Sequence, residues 1–216
     1  MAQSSQRVVL WRHGQTNWNI ENRFQGHSDI PLNDVGFAQA ERAAPLLMSL
    51  NPETIISSDL MRAQQTAASL AKLAQLEVQI DAGLRETNGG KWEGKTGAEN
   101  RAWDYDRFVN WLDGDDAPAG ETGERRSEIA QRAVSAIERA LSPEISTLIV
   151  VTHGGTARCV LGKMLELPMS QWSALGGLSN AAWSILENGH HRKGWVLVEH
   201  NAGSLPEPIY GEESGA

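Results

Sequence analysis

Thr147-Leu-Ile-Val-Val-Thr152, running directly into His153-Gly-Gly155, is the stretch that decides the fold. Four consecutive aliphatic residues between two threonines are too few for a helix and show no polar alternation, the pattern of a strand buried on both faces. Such a strand belongs in the interior of a parallel sheet with helices on either side. The flanks agree. Upstream, Glu124 to Leu141 repeats apolar residues at helical spacing through Ile129, Ala133, Val134, Ile137 and Leu141. Downstream, a helix is expected through Leu165. Arg7-Val-Val-Leu-Trp-Arg-His13 reads as a second buried strand and also ends in His-Gly. Thr54-Ile-Ile-Ser57, the weaker Val78–Ile80, Ala182–Leu186 and Trp195–Glu199 add four more. Helices are expected over Asp34–Leu50, where Pro45 should force a kink or restart, and after Asp59, whose carboxylate is placed to cap it. Strands alternating with helices give an α/β fold, a three-layer α/β/α sandwich around a mostly parallel central sheet. The expected organisation is one domain over residues 1–201, with an inserted cap at about 85–123 that is rich in Gly, Asp and Trp, and a loose polar tail over 202–216.

At 216 residues the chain can bury roughly 70% of its unfolded surface without a disulfide or metal staple. Nineteen Lys and Arg against 27 Asp and Glu give a net charge of −8, which argues against nucleic acid or an anionic membrane as partner. No window approaches the ~18 unbroken apolar residues of a membrane span. Met1 to Arg7 is polar and lacks the apolar segment of a secretory signal. The single Cys159 leaves no internal disulfide and suits a reducing compartment, so a cytoplasmic location is expected. An anionic substrate would then need positive charge gathered locally.

Two strand ends supply candidates for that. In an open α/β sheet, ligands collect beyond the carboxyl ends of the strands. His13-Gly14 and His153-Gly154 could share one pocket there, although 140 positions separate them. A lone strand-end histidine is usually structural; two with the same glycine follow-on point to function. The helix after Gly155 would aim free N–H groups at the same place. Arg12 precedes the first histidine, and Arg62 follows the Ser57 strand end by one short turn. Either alone reads as a surface ion pair. Together with two imidazoles and helix N–H groups they describe a site for a phosphate dianion. Glu86, after the third strand, is the candidate for proton transfer, against the plainer reading of a solvated loop acid.

Arg12-His-Gly-Gln-Thr-Asn-Trp-Asn19, followed by Asn22-Arg-Phe-Gln-Gly26, resembles the signature of the histidine phosphatase superfamily, the phosphoglycerate mutase-like proteins. Ser57-Ser-Asp-Leu-Met-Arg-Ala63, Leu84-Arg-Glu86 and Val151-Thr-His-Gly154 match its later blocks in order, over about residues 7–200. The resemblance implies a phosphohistidine mechanism, with His13 as nucleophile and Glu86 as proton donor. Arg12, Asn19, Arg62 and His153 would bind the phosphoryl oxygens, with the Gly154 N–H nearby and Gln25 as a further contact. No metal or cofactor is implied. Neighbouring arginines would keep His13 neutral, and a bound dianion with partial burial would keep Glu86 protonated. The interval of 67 positions between Glu86 and His153 resembles the shorter, phosphatase-type spacing rather than that of cofactor-dependent mutases. Ala174-Leu-Gly-Gly-Leu-Ser-Asn-Ala-Ala-Trp183, with Gly14-Gln-Thr16, Gln25-Gly26 and Leu84-Arg-Glu-Thr87, resembles actinobacterial glucosyl-3-phosphoglycerate phosphatases. The expected activity is hydrolysis of a small phosphorylated acid or sugar acid, with phosphoglycerate mutase as alternative and a homodimer as the expected assembly.

Other patterns point elsewhere. Gly89-Gly-Lys-Trp-Glu-Gly-Lys-Thr96 matches a P-loop formally, yet it follows a polar loop and not a buried strand, so an ATPase using Lys95 is disfavoured. Asp104, Asp106, Asp113, Asp115 and Asp116 lack EF-hand spacing and read as a solvated face. His190-His191 has no ligand partner at metal spacing and reads as an exposed turn. Trp103 and Trp111 are expected to pack the cap or line a substrate pocket. A phosphate-binding scaffold on this fold should have lost His13, Arg62, Glu86 or His153, and all four are present.

Overall fold

The computed structural model describes residues 5–188 and 194–203. The tail expected over 202–216 lies outside them beyond Gly203, as do His190-His191 and the first four residues. Strands are β1 (Gln6–Arg12), β2 (Thr54–Ser57), β3 (Val78–Ile80), β4 (Thr147–Thr152), β5 (Trp183–Asn188) and β6 (Trp195–Ala202). Helices are α1 (Asn17–Ile20), α2 (Asp34–Met48), α3 (Met61–Ala74), α4 (Gly97–Trp103), α5 (Tyr105–Leu112), α6 (Arg126–Ala140) and α7 (Gly154–Met164).

The six strands form one sheet in the order β3-β2-β4-β1-β5-β6. β3, β2, β4 and β1 pair in parallel, β5 pairs antiparallel with β1, and β6 antiparallel with β5. Only β5 therefore opposes the common direction. β4 is buried along its whole length, as its unbroken apolar run requires. Alternation assigns the two faces. Val8, Leu10, Leu148, Val150 and Leu186 pack against Ala133, Ile137, Ala157 and Val160 of α6 and α7. Val9, Trp11, Ile149, Val151 and Ile185 pack against Ala40, Leu47, Ala63 and Leu70 of α2 and α3. The result is helix, sheet, helix.

Two local expectations need correction. Pro45 does not break α2, which runs unbroken through it. The proline lies in the last turn on the solvent side, where the one carbonyl it deprives, that of exposed Glu41, can turn to water. Asp59 does not cap α3, whose N-cap position is Leu60 with no side-chain cap. Its carboxylate is taken by the Arg85 guanidinium at 2.5–3.1 Å, and Asp29 Oδ1 receives the Met61 N–H at 2.6 Å instead.

Residues 85–123 lie between β3 and α6 and carry α4, α5 and a 3₁₀ turn at Gly90–Trp92. Phe24, Trp92, Phe108, Trp111 and Ala119 form a separate small core there. Its rings meet mostly edge to face, Trp92 and Phe108 at 5.2 Å and Trp92 and Trp111 at 5.5 Å, the arrangement favoured by ring quadrupoles. Aromatic packing replaces the missing aliphatic periodicity.

Gly14 and Gly36 touch backbone to backbone where the β1 end meets α2. A Cβ on Gly36 would lie 2.1 Å from the Gln15 carbonyl oxygen. Alanine ordinarily favours a helix over glycine by ~1 kcal/mol, but backbone cannot yield as a side-chain tip can. Gly36→Ala is expected to destabilise the fold by about 1–3 kcal/mol, the usual cost of overpacking. A urea unfolding midpoint equal to or above that of the unmodified protein would contradict this.

Candidate active site

The β1–β4 register pairs Arg12 with Thr152, so the next residues, His13 and His153, leave the sheet side by side. The His13 N–H donates to the Thr152 carbonyl at 3.0 Å, and the two ring centroids are 5.1 Å apart. Both rings are buried. His13 Nδ1 lies 2.7 Å from the Gly14 carbonyl. A carbonyl only accepts, so Nδ1 carries the hydrogen and Nε2 keeps its lone pair. In His153 the roles reverse. Arg62 Nε donates to Nδ1 at 3.2 Å, which leaves Nε2–H for Ser58 Oγ at 2.9 Å.

Burial holds the His13 pKa well below its ordinary value, with the Arg62 and Arg12 charges adding to it against the Gly14 hydrogen bond. Burial, Arg62 and His13 do the same for His153. Both imidazoles are therefore neutral. Arg62, fully buried in the first turn of α3, donates to Ser28 O at 2.8 Å and Gly26 O at 2.9 Å. Arg12 donates to Leu178 O at 2.5 Å, on the segment that enters β5.

Asn19 closes a capping box with Thr16 over the short α1. Its Oδ1 accepts from Thr16 N at 3.0 Å and Asn180 Nδ2 at 3.2 Å, so the amide nitrogen is the group that can donate to a ligand. Gln25 Oε1 is 3.0 Å from the Thr16 hydroxyl. Glu86 is buried, not solvated. It sits on the N-terminus of α7, which Gly154 opens: Oε2 accepts from Gly155 N at 3.1 Å, Oε1 from Thr156 N at 3.0 Å and Thr87 N at 2.8 Å. N–H groups at a helix start favour the carboxylate that proton donation leaves behind.

All eight residues singled out from the sequence thus come together: Arg12, His13, Asn19, Gln25, Arg62, Glu86, His153 and Gly154. Two neutral imidazoles, two guanidiniums and an amide make a cradle for a tetrahedral dianion. The P-loop-like stretch forms the 3₁₀ turn Gly90–Trp92 and the entry to α4. Thr96 caps α4 through Glu99, and Lys95 donates to the Lys91 carbonyl. Trp111 is buried in the cap core, and Trp103 is 45% exposed with the Lys91 and Lys95 ammoniums over its face. Asp116 receives Ser127 N and Oγ at the start of α6, a structural use. No metal-type cluster occurs among the described residues. Sequence reading missed Ser58, Asn180 and Thr156. Asn180, which also donates to His13 O at 3.2 Å, stood inside a quoted stretch, but a partner 167 positions away leaves no local signal.

A family model described as the histidine phosphatase superfamily, branch 1, matches residues 8–203. The glucosyl-3-phosphoglycerate phosphatase of Mycobacterium tuberculosis (strain CDC 1551 / Oshkosh) is 36% identical over 200 residues, 88% of each chain. A protein described as probable phosphoglycerate mutase GpmB, from Yersinia pestis (strain Pestoides F), is 36% identical over 167 residues, 75% of this chain and 76% of that one. The solved structure of a mycobacterial glucosyl-3-phosphoglycerate phosphatase complexed with VO3 superposes with a TM-score of 0.84 at 38% identity, covering 91% of this chain and 99% of that one.

The two neutral imidazoles make stability depend on pH. In the unfolded chain each titrates near 6.5, whereas in the fold both pKa values lie well below that. The unfolded state binds more protons below pH 6.5, so stability is full above that value and falls as pH drops toward the folded pKa. The slope approaches about 1.4 kcal/mol per pH unit for each histidine. Asp59, lowered from 3.8, adds its own loss only in a more acidic window. The urea midpoint is expected to be clearly lower at pH 5.5 than at 7.5, with a shallower dependence in His153→Gln; equal midpoints would contradict the neutral assignment.

Proposed function

The chain belongs to the histidine phosphatase superfamily and is a phosphoric monoester hydrolase, and from that premise we propose that it releases phosphate from glucosyl-3-phosphoglycerate, or a closely similar sugar-acid phosphate, through a phosphohistidine on His13. One observation carries the reading: the Nδ1–H of a buried, neutral His13 is fixed on Gly14 O, with Nε2 left as a lone pair beside two guanidiniums.

Phosphoryl transfer is mostly positioning and charge stabilisation. In this reading Arg12, Arg62, Asn19 and neutral His153 hold the phosphoryl oxygens, with Gln25 and the Gly154 N–H beside them. His13 Nε2 attacks phosphorus as the bond to the ester oxygen breaks. Glu86 gives its proton to that oxygen and is left as the carboxylate that the α7 N-terminus stabilises. The same carboxylate then takes a proton from the water whose oxygen attacks phosphorus as the bond to Nε2 breaks. Inorganic phosphate leaves, His13 returns to the neutral form and Glu86 is again an acid. Two guanidinium charges offset the dianion, so the steps call on no metal.

The proposed substrate is supported by relatives whose names carry glucosyl-3-phosphoglycerate, matched over most of the chain. The likeness to the protein described as a probable phosphoglycerate mutase favours a second reading, in which the phosphoryl group returns from His13 to the 2-position of a bound phosphoglycerate. A single domain with a cap over about 85–123 completes the proposal. A cytoplasmic location is supported by the single buried cysteine, and a homodimer by the exposed Val35, Phe37 and Leu46 of α2; light scattering tests the latter.

Purified protein should release phosphate from glucosyl-3-phosphoglycerate faster than from 3-phosphoglycerate, with no transfer to the 2-position. Transfer without release would establish the mutase instead. His13→Ala should abolish turnover and the alkali-stable, acid-labile phosphoenzyme, and Glu86→Gln should lower kcat by about 10²–10⁴-fold. Full activity in His13→Ala would defeat the mechanism.

A further inference from the structure

Glu86 stands on coil between two 3₁₀ turns, Ala82–Leu84 and Gly90–Trp92. Groups on loops are held less accurately than groups on helices or strands, and an acid misplaced by 1 Å loses much of its effect. Something rigid has to fix this segment. The side chain of Arg132, in the second turn of α6, does so from behind. Its Nη1 donates to Gly83 O and to Arg85 O, both at 2.7 Å, and its Nη2 to Glu86 O at 2.9 Å. Nε and Nη2 also fork onto Glu124, at 2.7 and 2.9 Å.

Glu124 closes the loop from its other end. Its Oε2 accepts the Asn88 N–H at 2.8 Å. Burial opposes its charge, yet the Arg132 and Asn88 hydrogen bonds bring its pKa below the ordinary carboxyl value, so it is ionised. His27 adds a second donor to Glu86 O, with Nε2 at 2.9 Å, and lies 3.7 Å from Glu124 Oε2. Arg132 and Glu124 are each about one-fifth exposed, and neither belongs to an apolar cluster. α6 already has its packing face in Ile129, Ala133 and Ile137. The guanidinium is spent on the carbonyls around Glu86.

We propose that Arg132, clamped by Glu124, is the positioning residue that aims Glu86 at the leaving-group oxygen. The role demands arginine, because only a planar fork reaches three carbonyls and a carboxylate at once. Arg132 bonds the backbone around Glu86 and not its carboxylate, and its charge also helps to keep His153 neutral, an effect that Arg132→Lys preserves. The proposal rests on the reading of Glu86 as general acid, and the test separates the two.

A leaving group that departs unaided as an anion needs no acid, so the readout is leaving-group dependence. It is measured as kcat/KM, which reports only as far as phosphohistidine formation. β-Glycerol phosphate has an alkoxide leaving group, and p-nitrophenyl phosphate a stabilised phenolate. Glu86→Gln should lose at least about 100-fold on the former and under about 5-fold on the latter. Arg132→Lys should lose about 10–100-fold on the former and under about 3-fold on the latter, and Glu124→Gln should fall in the same direction by less. Circular dichroism melts ensure that folded protein is compared, and Glu124→Gln carries the test should Arg132→Lys not fold. A fall that is equal on both substrates, or absent in both variants while Glu86→Gln keeps its dependence, overturns the positioning role. Absence of the dependence in Glu86→Gln overturns the general-acid reading, and this proposal with it.

Discussion

Everything at the site hangs on the parallel pairing of β1 with β4 and on its register. Because Arg12 stands opposite Thr152, two imidazoles distant in sequence emerge adjacent, and a slip of one residue would turn one of them to the other face. That register is enforced from below. Val8, Leu10, Leu148 and Val150 must face α6 and α7, while Val9, Trp11, Ile149 and Val151 must face α2 and α3. Core packing thus sets the height and side of the two histidines before any polar contact forms.

The next constraint is charge. A fully buried guanidinium is costly unless every hydrogen finds an acceptor. Arg62 finds acceptors in the Gly26 and Ser28 carbonyls and the His153 ring, which fix the cation in place. Arg12 donates to Leu178 O. The same positive field, added to burial, keeps both imidazoles unprotonated, the state that the proposed nucleophile His13 requires. A chain with a net charge of −8 thereby gathers positive charge at one point.

The sequence made the strands legible because their faces are read by local pattern alone, and the His-Gly ends announced themselves by position. The eight site residues followed from ordered blocks of residue types. What escaped is what depends on partners far along the chain. Asp59 has the composition of a cap, but Arg85, 26 positions on, outbids the helix for it. Ser58, Asn180 and Thr156 are ordinary residues until the fold sets them against His153, Asn19 and Glu86. The cap was legible only as a change in composition, since its core is built from aromatic edges and borrows Phe24 from another segment.

That borrowing matters for how one scaffold serves different esters. Residues 85–123 reach the site through Glu93, which accepts from His27 N at 2.9 Å and Ser28 Oγ at 3.0 Å, on the loop whose carbonyls hold Arg62. They reach the acid side through Asn88, whose N–H donates to Glu124. Arg12, His13, Asn19, Arg62 and His153 come from the sheet ends, α1 and α3, and Asn180 from the segment entering β5. In the proposed reading, contacts to the ester's organic part would change with the sequence of residues 85–123 while those groups stay fixed. Contacts made there would bear on the same loops that hold Arg62 and Glu86, so remote binding energy has a physical route to the reacting centre. A phosphatase and a protein described as a mutase at equal identity to this chain are what such a division of labour allows.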